Sequence, residues 1–181
     1  MKVNYLKIFN GKKIKIRKPS FKDLKRMKDF LDYINSLVEE GAMISINEKI
    51  SLKEEKEWLK RNLKEIKRKK GVMIVAEDKN KIVGICECKL KEGRQSHVGE
   101  IGIGVRKEYR GIGLGKFLLS EILKLAKKKL KPKIFRLSVF DTNKIAQNLY
   151  KKIGFKKVAK VPKQIQYKGK LISEIIMILE P

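Results

Sequence analysis

Long apolar runs are missing from this sequence of 181 residues. No stretch nears the roughly 20 apolar residues that a helix needs to cross a membrane. The start, "MKVNYLKIFNGKKIKIRKPS", has no apolar run followed by a small-residue cleavage site, so a cytoplasmic protein is expected. Cysteine occurs twice, as Cys86 and Cys88 in "GICECKL". Two residues apart on a strand, they share a face, pair poorly as a disulfide and are too few to hold zinc. Two reduced thiols and no metal site are the expectation. Histidine occurs once, at His97. Internal repeats, low-complexity tracts and Pro/Gly/Ser linkers are absent too, so residues 1–181 are expected to form one domain. The 42% hydrophobic content is enough for its core.

Acidic residues are in short supply: 20 Asp+Glu stand against 46 Lys+Arg, a formal charge of +26. Such an excess points to a polyanion such as nucleic acid, or to a compositional bias of the kind found in proteins from hot environments. Arginine, the better residue for bidentate phosphate and base contacts, occurs only eight times. The excess is also spread along the chain, and the basic runs carry no aromatic interleaving. Both points favour the bias over a nucleic-acid partner.

What is present is a sequence of clear periodicities. "KIKIRKP" (13–19) alternates as a strand. Ser20 then caps a helix over 21–40, with Asp23 three residues on and Gly41 at its end. A second helix is capped by Ser51, carries Trp58, Leu59, Leu63 and Ile66 as its apolar stripe, and ends at Gly71. Strands over 72–78 and 81–90 flank a turn at Lys79-Asn80. A third strand runs over 97–105. A glycine loop follows, then a helix over 116–130, a strand over 134–140 and a helix over 143–153 ended by Gly154. A last antiparallel pair, 156–167 and 170–179, turns at Lys168-Gly169. The expected fold is therefore a single α/β (α+β) domain. Its sheet is mixed and mostly antiparallel, flanked by helices, with one parallel strand–helix–strand unit over 97–140.

The loop "YRGIGLGKF" (109–117) holds Gly111, Gly113 and Gly115 between a strand and a helix. A helix N-terminus leaves several N–H groups unpaired and carries the positive end of the dipole, so it favours an anion. Glycines let the backbone approach that anion. Two familiar phosphate loops do not fit. The dinucleotide fingerprint needs glycine where Lys116 stands, and the P-loop needs Ser or Thr where Phe117 stands and glycine at 110.

"VRKEYRGIGLGKFLL" resembles the acetyl-CoA-binding signature of the GNAT (GCN5-related) N-acetyltransferase family, [RQ]-x-x-G-x-[GA], through Arg110, Gly113 and Gly115. "NKIAQNLYKKIGF" matches the family's next helical segment through Asn143, Ala146, Leu149-Tyr150 and Gly154-Phe155. "HVGEIGIGVRKEYRGIG" looks more like the branch that acetylates small amines and amino acids than like the histone-type branch.

The resemblance implies direct transfer of an acetyl group from acetyl-CoA, as co-substrate, to a primary amine of a small molecule, an amino acid or a protein. It implies that the backbone of Arg110, Gly111, Ile112, Gly113, Leu114, Gly115 and Lys116 holds the pyrophosphate. Backbone groups at Ile103 and Val105 would pair with the pantetheine arm. Asn143 and Tyr150 would line the other side, and Tyr150 would be the general acid toward the leaving thiolate. For the base, Glu100 and His97 both stand where family members carry one. Strict alternation separates them, but the family's strand often carries a bulge that breaks parity, so both stay open. Asp141 and Glu174 are lesser candidates. Net charge alone favours acidic or neutral acceptors. The alternatives are an acetyltransferase acting on nucleic acid or a nucleic-acid-bound protein, and a basic nucleic-acid-binding protein that retains the fold. A monomer or homodimer without membrane attachment is expected.

Overall fold

Eight strands and four α-helices follow one another along residues 3–181, the part that this computed structural model describes. They are β1 (Asn4–Phe9), β2 (Lys12–Arg17), α1 (Met27–Glu39), α2 (Leu52–Lys67), β3 (Gly71–Asp78), β4 (Lys81–Leu90), β5 (Val98–Val105), α3 (Leu114–Lys129), β6 (Ile134–Phe140), α4 (Lys144–Ile153), β7 (Lys156–Tyr167) and β8 (Lys170–Leu179). The strands form one sheet in the order β1-β2-β3-β4-β5-β6-β8-β7. Only β5 and β6 are parallel. This is the mixed, mostly antiparallel architecture expected from the sequence.

The turn chemistry is as written. Lys79 and Asn80 both take positive φ, 45° and 69°, between β3 and β4. Lys168 and Gly169 do the same, at 50° and 74°, between β7 and β8. Two elements differ from expectation. β1 was not anticipated, because its outward face carries Leu6 and Ile8, both more than half exposed, which hides its alternation. Its inward Tyr5 and Phe9 meet the Phe117 ring edge-on at 6.3 and 5.4 Å. The first helix is broken. Ser20 and Asp23 do form a capping box, but it closes a 3-10 turn over Phe21–Lys25, and α1 starts again after Arg26.

An ion network explains that break. Asp23 accepts both arms of Arg17, at 2.9 and 2.6 Å. Glu77 on β3 accepts from Arg17 at 2.6 Å and from Arg26 at 2.7 Å. Arg26 also holds Asp29 and the Asn80 carbonyl. Burial pushes the Glu77 carboxyl up, but the two arginines outweigh it and hold it below its ordinary value.

The sheet separates two cores. α3 and α4 pack on one face against Ile74, Cys86, Cys88, Ile101, Phe135, Leu137 and Ile175. α1 and α2 pack on the other against Met73, Val75, Ile82 and Ile85. The two cysteines are free and buried, on one face as their spacing implied. On β5 two of the residues facing α1 and α2, Gly102 and Gly104, are glycines, and at Gly104 the reason is packing. A Cβ at Gly104 would lie 2.5 Å from Tyr33 Oη and 3.0 Å from Leu37 Cδ1.

Two stability outcomes follow. Gly104→Ala is expected to cost about 1–3 kcal/mol through overpacking, measured by denaturant unfolding, with part recovered in the Tyr33→Phe double variant. Glu77→Ala removes one acceptor from each of two arginines, which keep Asp23 and Asp29, and is expected to cost about 1.5–3 kcal/mol at neutral pH. Because the Glu77 pKa is depressed, its contribution is present above the ordinary glutamate range and fades as pH falls below it. The gap between wild type and variant should therefore narrow in acid.

Candidate functional site

β5 and β6 begin as a parallel pair and then part. They are in register only at Val98↔Ile134, Gly99↔Phe135 and Glu100↔Arg136. β5 continues to Val105 with β4 on one side only, and β6 continues to Phe140 with β8 on one side only. Sheet twist can open such a V, and it leaves the backbone of β5 at Ile103 and Val105 without a strand partner on the open edge. An extended polar chain can be added there as a strand is.

The glycine loop stands at the open end of the V. Gly111 and Gly113 take φ of +76° and +87°, which side chains other than glycine's rarely adopt. Gly113 is the N-cap of α3 and supplies no side-chain cap, and the first turn holds no acid. Arg110 N bonds Lys107 O, and the next amide with a backbone acceptor is Phe117 N, to Gly113 O. The amides of residues 111–116 are therefore left for a ligand, among the described residues. A Cβ at Gly111 or Gly113 would meet nothing within 4 Å, so the loop is an open cradle of the kind a pyrophosphate fills. Ile112 and Leu114 point away from it and pack into the α3 core. Lys116 is exposed and shares a surface groove with Lys7 and Lys124 beside Gly113, which adds positive potential. Arg110 is committed elsewhere: its Nε donates to Val105 O at 2.8 Å and its NH2 pairs with Glu40, tying the loop to the end of α1.

α4 lines the V from the other side. Asn143 caps it, with Oδ1 accepting from Ala146 N at 3.1 Å. Gln147, which the sequence gave no reason to single out, donates to the carbonyls of Phe140 and Asp141 and fixes the turn between β6 and α4. Tyr150 is buried against Phe155, at 6.1 Å between ring centroids. Burial, with a smaller contribution from Cys86 nearby, pushes its phenol well above the ordinary tyrosine range.

The mouth of the V is roofed. Tyr167 near the β7–β8 turn donates to Gly41 O at 2.7 Å and meets Phe140 edge-on. Thr142 reaches Met43 Sδ at 3.8 Å. The residues after α1 and the last hairpin thus meet over the opening. Asp141 pairs with Lys160 through Oδ2, while its Oδ1 is buried without a hydrogen bond. Glu174, opposite Phe140 on β8, is half-buried.

The two sequence candidates for the base lie at the closed end. His97 is exposed ahead of β5, and its carbonyl accepts from Lys133 N at 2.8 Å, clamping the start of β6. Glu100 is exposed in the last paired position, abreast of Lys89 on β4 and Arg136 on β6. β4 and β5 stay in unbroken register from Gly99 to Val105, so no bulge alters parity there. Glu100 accordingly shares the α1/α2 face with Gly102 and Gly104.

Known structures share this architecture. A GNAT-family acetyltransferase of Streptococcus pneumoniae is 22% identical, with a TM-score of 0.81 over 93% of this chain and 99% of that one. A ribosomal-protein-alanine N-acetyltransferase of Brucella melitensis is also 22% identical, with a TM-score of 0.78 over 92% and 99%. The yncA protein of Salmonella typhimurium, solved with its cofactor acetyl-CoA, is 18% identical, with a TM-score of 0.77 over 92% and 93%. No curated protein matches the sequence. These likenesses establish the fold. The family rests on the sequence itself: residues 40–155, well over half of the chain, match the model of the acetyltransferase (GNAT) family. This chain therefore belongs to the acetyltransferase (GNAT) family of acyltransferases, for which acetyl-CoA is the co-substrate.

Proposed function

We propose that this protein transfers the acetyl group of acetyl-CoA directly to a primary amine, with Tyr150 as the general acid. One juxtaposition carries the reading: an uncapped glycine-lined helix end at the mouth of an unpaired β5 edge, with a buried phenol on the opposite wall. Bound acetyl-CoA supplies the reactive thioester. The residues of the chain hold it. Amides 111–116 receive the pyrophosphate, β5 at Ile103 and Val105 receives the pantetheine amides, and Asn143 flanks them from the start of α4. Arg110 shapes the loop from behind by holding Val105 O and Glu40.

Tyr150 keeps its proton through the working pH range, because burial opposes the phenolate. It can therefore donate a hydrogen bond to sulfur as charge develops there. No covalent enzyme intermediate is needed, which suits a wall without an activated nucleophile: Cys86 and Cys88 are buried and burial holds both thiols above their ordinary value. Buried unpaired thiols also fit a reducing, cytoplasmic setting.

The acceptor is an amine of a small molecule, an amino acid or a protein. The residues after α1 and the last hairpin, joined by Tyr167 Oη donating to Gly41 O, border the side from which it approaches. A protein amino terminus is within that range: one structural neighbour is named for ribosomal-protein alanine, and another, 10% identical, for the ribosomal L7/L12 alpha-amino group. The nucleic-acid readings have only the +26 charge behind them.

Acetyl-CoA is expected to bind the chain and raise its Tm, with calorimetry giving the affinity; no binding at millimolar ligand sinks the enzyme reading. Gly113→Ala should cost about 1–2 kcal/mol through its positive φ and weaken acetyl-CoA binding tenfold or more. Lost stability with unchanged affinity would remove the loop from the cofactor site. Tyr150→Phe should lower kcat by about 100-fold or more with little change in acetyl-CoA affinity.

A further inference from the structure

Two glutamates outside the sequence candidates stand on the α1/α2 face of the sheet at the open V. Glu87 follows Cys86 on β4 and faces the other way, with Ile85. It lies opposite Gly102 of β5, the second residue beyond the last β5–β6 pair. Gly102 has no side chain to intervene: a Cβ there would lie 3.4 Å from Glu87 Oε1. No β5 side chain therefore covers that oxygen at this position. The other oxygen, Oε2, is buried without a hydrogen bond, and its nearest cation is Lys89 Nζ at 3.8 Å. Behind it, Glu55 on α2 is only 3% exposed, with neither a hydrogen bond nor an ion pair among the described residues.

The same molecule shows what a structural buried glutamate looks like. Glu77, as buried as Glu55 and more so than Glu87, accepts from two arginines at 2.6 and 2.7 Å. Burying carboxylates without such partners is costly unless they have another use. Burial raises both carboxyls, and Glu87's charge raises Glu55 further, to about 7. Lys89 on β4 and Arg61 on α2 pull Glu87 back toward its ordinary value. Other charged groups on this face of the sheet are Glu100 and Arg136, abreast of each other at the closed end, Glu174 opposite Phe140 at the open end, and Glu77, held by its two arginines.

We propose that Glu87 is a catalytic residue of the acetyl transfer: its Oε1 receives the acceptor's ammonium across Gly102 and takes its proton, with Glu55 as the positioning residue behind it. In the step, an ammonium N–H bond breaks, its electron pair stays on nitrogen and an O–H bond forms on Glu87. Overall the ammonium gives up two protons. One ends on the sulfur of coenzyme A and one passes through Glu87 to solvent. The acceptor class that follows is a primary amine that arrives as its cation, which a chain of +26 would not otherwise favour. Acid and base then work from opposite faces of one short stretch: Tyr150 near Cys86, whose partner is Ile103, and Glu87 over Gly102.

The inference rests on the acetyltransferase reading, and the test separates the two. Acetyl-CoA is given to the full chain with n-butylamine or with water alone as acceptor. Release of the CoA thiol is followed from pH 5 to 9, and acetyl-CoA binding is measured in parallel by calorimetry. Wild type should show an acid limb above the ordinary carboxylate range. Glu87→Gln should lose that limb and about 100-fold or more of kcat with acetyl-CoA affinity kept. Glu55→Gln should leave the limb in place and lower kcat rather than raise KM, by less than Glu87→Gln, and Glu55→Asp should recover part of the loss, which a merely structural role would not do. Gly102→Ala should lower turnover with both glutamates intact. Unchanged rate and limb in Glu87→Gln overturn the proposal, as does loss of the limb in Glu100→Gln alone. Thiol release from neither acceptor while acetyl-CoA binds also overturns it. Absence of acetyl-CoA binding in wild type overturns the acetyltransferase reading instead.

Discussion

The parting of β5 from β6 is the constraint on which the rest of the molecule's chemistry depends. A sheet ordinarily satisfies each strand on both edges, and an open edge inside a protein is costly unless something pairs with it. Here three in-register pairs hold the strands together, and beyond Glu100 they separate. The clamp at the closed end is built from backbone, through Lys133 N to His97 O. The open end is propped by α4, whose entry turn is fixed by Gln147 and capped by Asn143. What results is a slot with main-chain hydrogen-bonding groups on one wall and a phenol on the other. The helix end that stands over the slot has no internal partner for its first amides, so the place where an extended ligand can lie and the place where its anion can sit are continuous.

The slot also gives sheet parity a chemical meaning. Alternate residues of a strand project to opposite faces, and both β4 and β5 keep strict alternation through this region. Cys86 and Glu87 are neighbours in the chain, yet one touches the Tyr150 environment and the other looks toward α2. A group placed against the edge of β5 can therefore be addressed from both faces at once without either helical layer crossing the sheet. The glycines of "GEIGIGV" are part of this. Gly104 makes room for Tyr33, and Gly102 leaves Glu87 uncovered. The sequence alone assigns Gly102 and Gly104 no role; in the fold they serve the α1/α2 layer.

How much could be read beforehand follows from how local each feature is. Hairpins written in two turn residues, helices written in caps and stripes, and the loop-to-helix junction at 110–117 are local, and the structure has them in place. β1 escaped because Leu6 and Ile8 face solvent and erase its alternation. The split of the first helix escaped because Arg26 bonds to Glu77 and to the Asn80 carbonyl, more than 50 residues away, and no propensity reports that. The site behaves likewise. Tyr150 and Asn143 lie in a recognisable segment. Glu87 and Glu55 are 32 positions apart on different elements, and each alone reads as one more acid on a charged chain. Their meaning appears only when register puts Glu87 opposite Gly102 and packing brings α2 over it.

In a chain this basic, the acids are the informative charges, because each has cations to choose from. Most near the slot have made a structural choice. Asp32 holds Arg106 at 2.5 Å, whose Nε grips Ile82 O. Asp78 accepts from Tyr109, Glu40 from Arg110, and Asp141 pairs with Lys160. Each of these contacts fixes a loop around the opening. Glu87 has Lys89 at 3.8 Å and Arg61 in its field, yet Oε2 makes no hydrogen bond and Oε1 lies over Gly102 of β5. A carboxylate held by one loose ion pair, with one oxygen over a glycine of β5, is placed for a cation that comes and goes. Net charge describes how the whole molecule meets solution; this one orientation describes what the seam is built to receive.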